Sequence, residues 1–410
     1  MTIGAKMNDP AQHMPLNAYG RPRDLTLANW DRPPYNRWSF QHMREIVPTA
    51  SIEAGRAMEL EVDGSVADLI DTEVTDHKGE RVSAGTLVEG SHTDGFLVIH
   101  RGRIVCERYF NGMQPDTLHL VQSISKSVVA TLAGILGGRG EFPLDRTVAA
   151  YVPEFAASAY HDATIRHLLD MASGVDFPED ITDPVSGVGL MDIAVGWKPV
   201  PPGDTNPRTV RDLIASLRKT VRPHGAQFDY RSMETEVLGC CIEAATKRRL
   251  CDLISEFIWQ PMGAEHEANL GVDPEGYAIA DGGLSASLRD LGRFGLIYAR
   301  NGFLNGLQIV PQAWVEQSRI GDATMFTEKQ KQDRPHGAYR NKFWIEHVDR
   351  PVILALGIYG QMIYIDHSKD FVGVLLSSWP DVLNPDLRID MQNMMRALAD
   401  RLTASNVPKF

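Results

Sequence analysis

The sequence predicts an α/β (α+β) fold in which an antiparallel sheet is flanked by helices and a mainly helical domain is inserted. Three observations predict it. Strand-like runs lie before about residue 110 and after about residue 340. Helical patterns and one long irregular stretch fill the space between. The first strand run, 94–110, doubles back at a tight turn, which only antiparallel pairing allows. A cleft between the two parts is the natural place for a site.

The elements follow in order. "MTIGAKMNDPAQHMPLNAYGRPRD" opens a polar arm, 1–27, with no apolar stretch leading to a cleavage site, so it does not read as a signal peptide. "DGFLVIHRGRIVCERYF" (94–110) is a hairpin turning at His100-Arg101-Gly102-Arg103. "HLVQSISKSVVATLAG" (119–134) opens a helix whose apolar face runs Val128, Val129, Leu132, Ile135, Leu136. "GEFPLDRTVAAYVPEF" (140–155) is a proline-containing connector, and "TIRHLLDMASG" (164–174) is a helix ending at Gly174. Residues 175–208, rich in Asp, Pro and Gly, form a long irregular lid loop. Helices are expected over 209–219 and 234–248. Strands return over 351–379, with a turn at His367-Ser368-Lys369-Asp370, and an amphipathic helix, 387–402, closes the chain. These elements divide into an α/β domain of 28–140 and 281–410 and a helical domain of 141–280.

Composition narrows the function. The chain has 410 residues, 43% hydrophobic and 23% charged, with a formal net charge of -12. No Lys/Arg block invites nucleic acid, and no stretch is apolar enough for a membrane span. The four cysteines, Cys106, Cys240, Cys241 and Cys251, include no C-x-x-C pair and read as reduced core residues of a cytoplasmic protein. The thirteen histidines show no H-E-x-x-H spacing, so no metal and no cofactor is expected. No G-x-S-x-G elbow is present.

The chemistry centres on Ser123-Ile124-Ser125-Lys126, an S-x-x-K at the mouth of the apolar helix. Residues three apart meet on a helix, so Ser123 Oγ and Lys126 Nζ can touch. A helix N-terminus offers free N–H groups and positive potential, which favour an alkoxide and disfavour an ammonium. Lys126 is therefore expected to titrate low enough to accept a proton. Tyr230-Arg231-Ser232 stands just before a helix, where a tyrosine can relay a proton, although a lone Tyr is more often a packed aromatic. In "ALGIYGQ" (355–361) two glycines within an apolar strand predict close approach by a ligand, and a strand N–H there can complete an oxyanion hole with that of Ser123.

In this order the three pieces resemble the serine β-lactamase and penicillin-recognising superfamily on its class C and esterase side. The closer resemblance is to the 6-aminohexanoate-dimer hydrolases and related carboxylesterases. It rests on "WDRPPYNRWSFQHMREIVP" (30–48), "SISKSVV" (123–129), "YVPEF" (151–155), "LLDM" (168–171), "FDYRS" (228–232), "DGGLS" (281–285), "GIYGQ" (357–361) and "LSSWPD" (376–381), and covers roughly 28–400. It implies a β-lactamase-like fold. It implies Ser123 as nucleophile, Lys126 as proton acceptor, Tyr230 as relay to the leaving group, and the N–H groups of Ser123 and Ile358 as oxyanion hole. Ile181, Asp192, Trp197, Ser232, Asp281 and Tyr359 fall at substrate-binding places, Trp197 on a closing loop.

The departures matter. Ala355-Leu356-Gly357 replaces the K-T-G strand, so a β-lactam carboxylate lacks its anchoring lysine. Ile181 stands where the nylon-oligomer enzymes carry a tyrosine that contacts the scissile amide. Ester hydrolysis survives that change better than amide hydrolysis. Ser232 replaces a more usual Asn, and Asp281 a His. The acidic residues Glu179, Asp180, Asp183 and Asp192 read most simply as a solvated loop, and alternatively as recognition of a substrate ammonium. The expected partner is a small-molecule ester or amide, with no nucleic acid and no membrane, and a homodimer is admitted. An acyltransferase, a weak β-lactamase or peptidase, and a non-catalytic binding protein on the same fold remain open.

Overall fold

The computed structural model describes residues 14–66, 68–181 and 183–404. Residues 1–13 of the expected polar arm lie outside them; within the rest of the arm, Leu16 bridges to Pro22 and Leu25 is buried.

The main sheet has seven strands, ordered Ala338–Arg340, Phe343–Ile345, Val352–Gly357, Gln361–Asp366, Phe371–Ser377, Thr93–His100, Arg103–Tyr109. Every neighbouring pair is antiparallel. The hairpin turns where the sequence places it, with Arg101 (φ 52°) and Gly102 (φ 76°) both left-handed, as a two-residue turn requires. Both faces are covered, so the strand Thr93–His100, second from the edge, is buried along its whole length. Phe96 and Val98 pack with Met391, Met394 and Leu398 of the C-terminal helix Pro385–Ala404. Leu97 and Ile99 face the other way, into the larger core that holds the helices Ile124–Gly138 and Leu288–Ala299. The second of these helices comes close because it presents glycines: a Cβ on Gly292 would sit 2.7 Å from Leu97, and one on Gly295 2.5 Å from Val372.

Four expectations are corrected. Strands are not confined to the chain ends: Thr49–Ile52, Ala268–Gly271, Leu284–Ala286 and His119–Leu120 build a second sheet. They are two to four residues long, too short for alternation to show. The lid 175–208 contains a helix, Gly187–Ala194, capped by Ser186 and hidden by its glycines. One of these, Gly189, is needed because a Cβ there would meet Pro184 O at 2.5 Å. The helix expected over 164–174 ends at Leu169, where Asp170 leaves helical geometry to bind Arg166 (3.2 Å) and Arg340 (2.7 Å), and Met171 turns to φ 52°. The helix expected over 209–219 runs Val210–Ser216, because Thr220 leaves to bridge Val175. The connector 140–155 also holds two helical turns, Val148–Tyr151 and Pro153–Phe155. Among the described residues no helix is long and apolar enough to cross a membrane.

Candidate active site

Ser123 stands immediately before the helix Ile124–Gly138, which is buried from Ile124 to Leu136. Gln122, the residue before it, is buried and held at φ 52°, a conformation a side chain other than Gly adopts at a cost. Gly357 lines the pocket, and it is also the place where the nucleophile segment passes. A Cβ on Gly357 would lie 2.6 Å from Val121 O and 3.0 Å from Gln122 Cβ, so glycine lets the nucleophile segment pass. Ile358 is not on a strand: Ile358–Gly360 is a tight turn between two strands, with Tyr359 at φ 60°. Neither the N–H of Ser123 nor that of Ile358 has a hydrogen-bond partner among the described residues, and both residues line the same pocket.

Lys126 is 1% exposed. Its Nζ donates to Ser123 Oγ (2.8 Å), to Asp281 O (2.9 Å) and to Asp281 Oδ2 (3.1 Å). Three acceptors for three protons describe an ammonium. Burial presses its pKa down, but the Asp281 carboxylate, with Glu179 beyond it, outweighs burial and leaves it above the ordinary lysine range. Lys126, expected to titrate low, instead meets the Asp281 carboxylate, a partner 155 residues away that chain position does not reveal. Asp281 is itself held below the usual carboxylate range. Burial opposes this, but the Lys126 charge and hydrogen bonds from Glu236, Lys126 and Ser232 prevail. Glu236, fully buried beside it, is pushed well up by burial and by the Asp281 charge, so one negative charge serves the two acids. Glu236 Oε1 also accepts the Asp281 N–H at 2.8 Å.

Tyr230 hydrogen-bonds Ser123 and lies under Lys126 Nζ, 5.4 Å from the ring centroid. Burial raises its pKa against the pull of Lys126 and Ser123, so the phenol stays neutral. Ser232 binds Glu179 through both its N–H (3.0 Å) and its hydroxyl. The acidic lid therefore divides: Asp180 is exposed, while Glu179 and Asp192 turn into the pocket.

The pocket encloses about 530 Å³ and brings together all the residues expected at the site except Lys126, which lies beneath its floor: Ser123, Ile181, Asp192, Trp197, Tyr230, Ser232, Asp281, Ile358 and Tyr359. Trp197 packs edge-on against Trp30 (5.3 Å), whose indole N–H donates to Trp197 O at 2.9 Å. Sequence reasoning did not place Glu236, Trp30, Asp31 or Trp344 at the site. Glu236 left a signal: two glutamates, Glu234 and Glu236, interrupt an otherwise apolar helix face over 233–242. Among the described residues no group of His, Cys, Asp and Glu is disposed to hold a metal ion.

Burial lifts Asp192 to about 8, with Asp281, Asp31 and Glu179 adding to the effect against Lys198. At pH 7 the carboxyl is then mostly protonated, and a bound ammonium favours its ionised form. Binding of hexylammonium at pH 7 is expected to release about one proton, and affinity to rise with pH until the group has titrated. Calorimetry in two buffers of different ionisation enthalpy measures the release. Equal heats in both buffers, or a release that survives Asp192→Asn, would rule out Asp192 as the cation site.

The family model described as Beta-lactamase matches residues 86–392. A 6-aminohexanoate-dimer hydrolase from Paenarthrobacter ureafaciens is 33% identical over 381 residues, 92% of this chain and 93% of that protein. Esterase EstB from Burkholderia gladioli is 29% identical over 179 residues, 41% of this chain and 42% of its own. A solved structure from Bacillus anthracis, assigned as a 6-aminohexanoate-dimer hydrolase, is 26% identical with a TM-score of 0.86, covering 96% of this chain and 100% of that one.

Proposed function

The chain belongs to the beta-lactamase family, and from that premise we propose that it is a serine hydrolase that cleaves short carboxylic esters, and more slowly linear amides such as 6-aminohexanoate dimer, through an acyl-Ser123 intermediate. One observation carries this reading: Ser123 Oγ lies at the pocket between the Lys126 ammonium, which donates to it at 2.8 Å, and the Tyr230 hydroxyl.

The protonation states favour a concerted relay. As Ser123 Oγ attacks the carbonyl, its proton passes to Tyr230 Oη while the Tyr230 proton passes to the departing oxygen or nitrogen. Tyr230 stays neutral overall, and the Lys126 ammonium stabilises the negative charge that builds on Oγ and Oη. The free N–H groups of Ser123 and Ile358 are the donors available to the carbonyl oxygen. Water then attacks the acyl-enzyme, with the same relay run in reverse. Four free, buried cysteines fit a reducing compartment, and we place the protein in the cytoplasm.

Ile181 lines the pocket and offers no side-chain hydrogen bond to an amide N–H. One such bond made mainly in the transition state contributes about 1–3 kcal/mol, roughly ten- to a hundredfold in rate. A p-nitrophenyl ester and 6-aminohexanoate dimer should therefore be assayed side by side with wild type and Ile181→Tyr. The ester is expected to be cleaved faster by wild type, and the substitution to raise dimer hydrolysis alone. Rapid wild-type cleavage of the dimer, or an equal rise for both substrates, would remove the basis for preferring esters. Hydrolysis of neither substrate would sink the hydrolase reading.

A further inference from the structure

The pocket continues past Tyr230. The Tyr230 ring stacks on Trp344 (5.7 Å, 15°), and the Arg334 guanidinium caps the Trp344 ring, 4.5 Å from its centroid. Arg388, from the first turns of the helix Pro385–Ala404, lines the same limb, together with Gln330 and Asp333. Both arginines are half-buried, and neither makes an ion pair or a side-chain hydrogen bond among the described residues. Burial and the Arg388 charge press Arg334 down against Glu346 and Asp333, and Asp333, which lines the same limb, also opposes the effect of burial on Arg388. Glu346 is occupied by Arg396 at 2.8 Å. Arg388 also carries its charge near a helix N-terminus, the unfavourable end for a cation. Burial and like charge at Arg334, and burial and the helix dipole at Arg388, work against the charged pair; Asp333 offsets part of this, and a bound anion offsets more.

The limb also has a direction. Tyr230 hands its proton to the leaving group, so the leaving group departs on the side of Tyr230, Trp344 and Arg334. Asp31 and Asp192 line the same pocket but do not pack on the Tyr230–Trp344–Arg334 stack. We propose that Arg334 and Arg388 form a carboxylate-binding subsite for the leaving group, so that preferred substrates carry a carboxylate on the alcohol or amine that departs. Two guanidinium forks lining one limb suit a carboxylate better than any neutral group. The assignment to the leaving group rests on the hydrolase reading; anion binding by the two arginines does not.

Two measurements separate these levels. Ser123→Ala protein, which cannot turn over, is titrated with sodium hexanoate, alone and with Arg334→Gln or Arg388→Gln added. Hexanoate is expected to bind, and each substitution to weaken it by about tenfold or more. Arg388→Gln keeps the test open should Arg334→Gln, which uncaps Trp344, fail to fold. In active protein, the acetyl esters of 6-hydroxyhexanoate and of hexanol are then compared. The kcat/KM ratio is expected to favour the carboxylate by about tenfold or more and to collapse toward one when either arginine is lost. Hexanoate binding indifferent to both substitutions overturns the subsite. Arginine-dependent hexanoate binding in a protein that cleaves no ester keeps the subsite and removes the hydrolase. Arginine-dependent binding with a ratio near one in wild type moves the carboxylate off the leaving group and overturns the proposal as stated.

Discussion

Ser123→Ala protein is expected to lose ester hydrolysis by a factor on the order of 10⁴ or more, and to lose all covalent labelling. The oxygen that forms the acyl bond is gone, and the residual rate is what binding and oxyanion donors supply without a nucleophile. The structure makes the comparison clean. Ser123 is not a side-chain cap of its helix, and its hydroxyl is engaged by Lys126 and Tyr230 within the site. Stability should therefore hardly change. Mass spectrometry after an activated ester should find one acyl group on the peptide containing Ser123 in wild type and none in the variant. Equal labelling of the variant would show that the acyl group sits elsewhere.

Lys126→Met is expected to show a second large effect, in two parts. The rate falls by about 10³ or more, because the ammonium that stabilises charge on Oγ and Oη is lost. Stability falls by about 3–5 kcal/mol, because the Asp281 carboxylate is left buried without its cation. Adding Asp281→Asn removes the stranded charge. The double variant should recover much of the melting temperature and none of the rate. That split separates a pairing role from a catalytic one, which a single substitution cannot do. Recovery of both, or an unaffected melting temperature in Lys126→Met, would show that the Lys126–Asp281 pair does not hold the site together as its geometry implies.

Much of the site was legible in the chain. Ser123 and Lys126 are three apart at the start of an apolar helix, and helical geometry alone makes them meet. The hairpin 94–110 was legible for the same kind of reason: its turn chemistry and its apolar strands are local. Tyr230 was named from its place before a helix. Its contact with Ser123, 107 positions upstream, is not local, and resemblance supplied what spacing could not.

The protonation state of the lysine was not legible, and the reason is physical. A helix N-terminus and burial both argue for a low-titrating lysine, and both are readable from sequence. Against them stand Asp281, 155 residues away, and the proton that Glu236 holds so that Asp281 can stay ionised. Electrostatic interaction depends on distance through space, which chain position does not report. The same holds for the approach of Val121 and Gln122 to Gly357, which no local pattern announces. It holds for Arg334 and Arg388, unremarkable in sequence and brought to one pocket only by the fold. The sequence by itself determined the 94–110 hairpin, the apolar helix after Ser123 and the meeting of Ser123 with Lys126, because those depend on neighbours a few positions away. Only the tertiary structure decided which charges face one another, and hence which groups hold their protons.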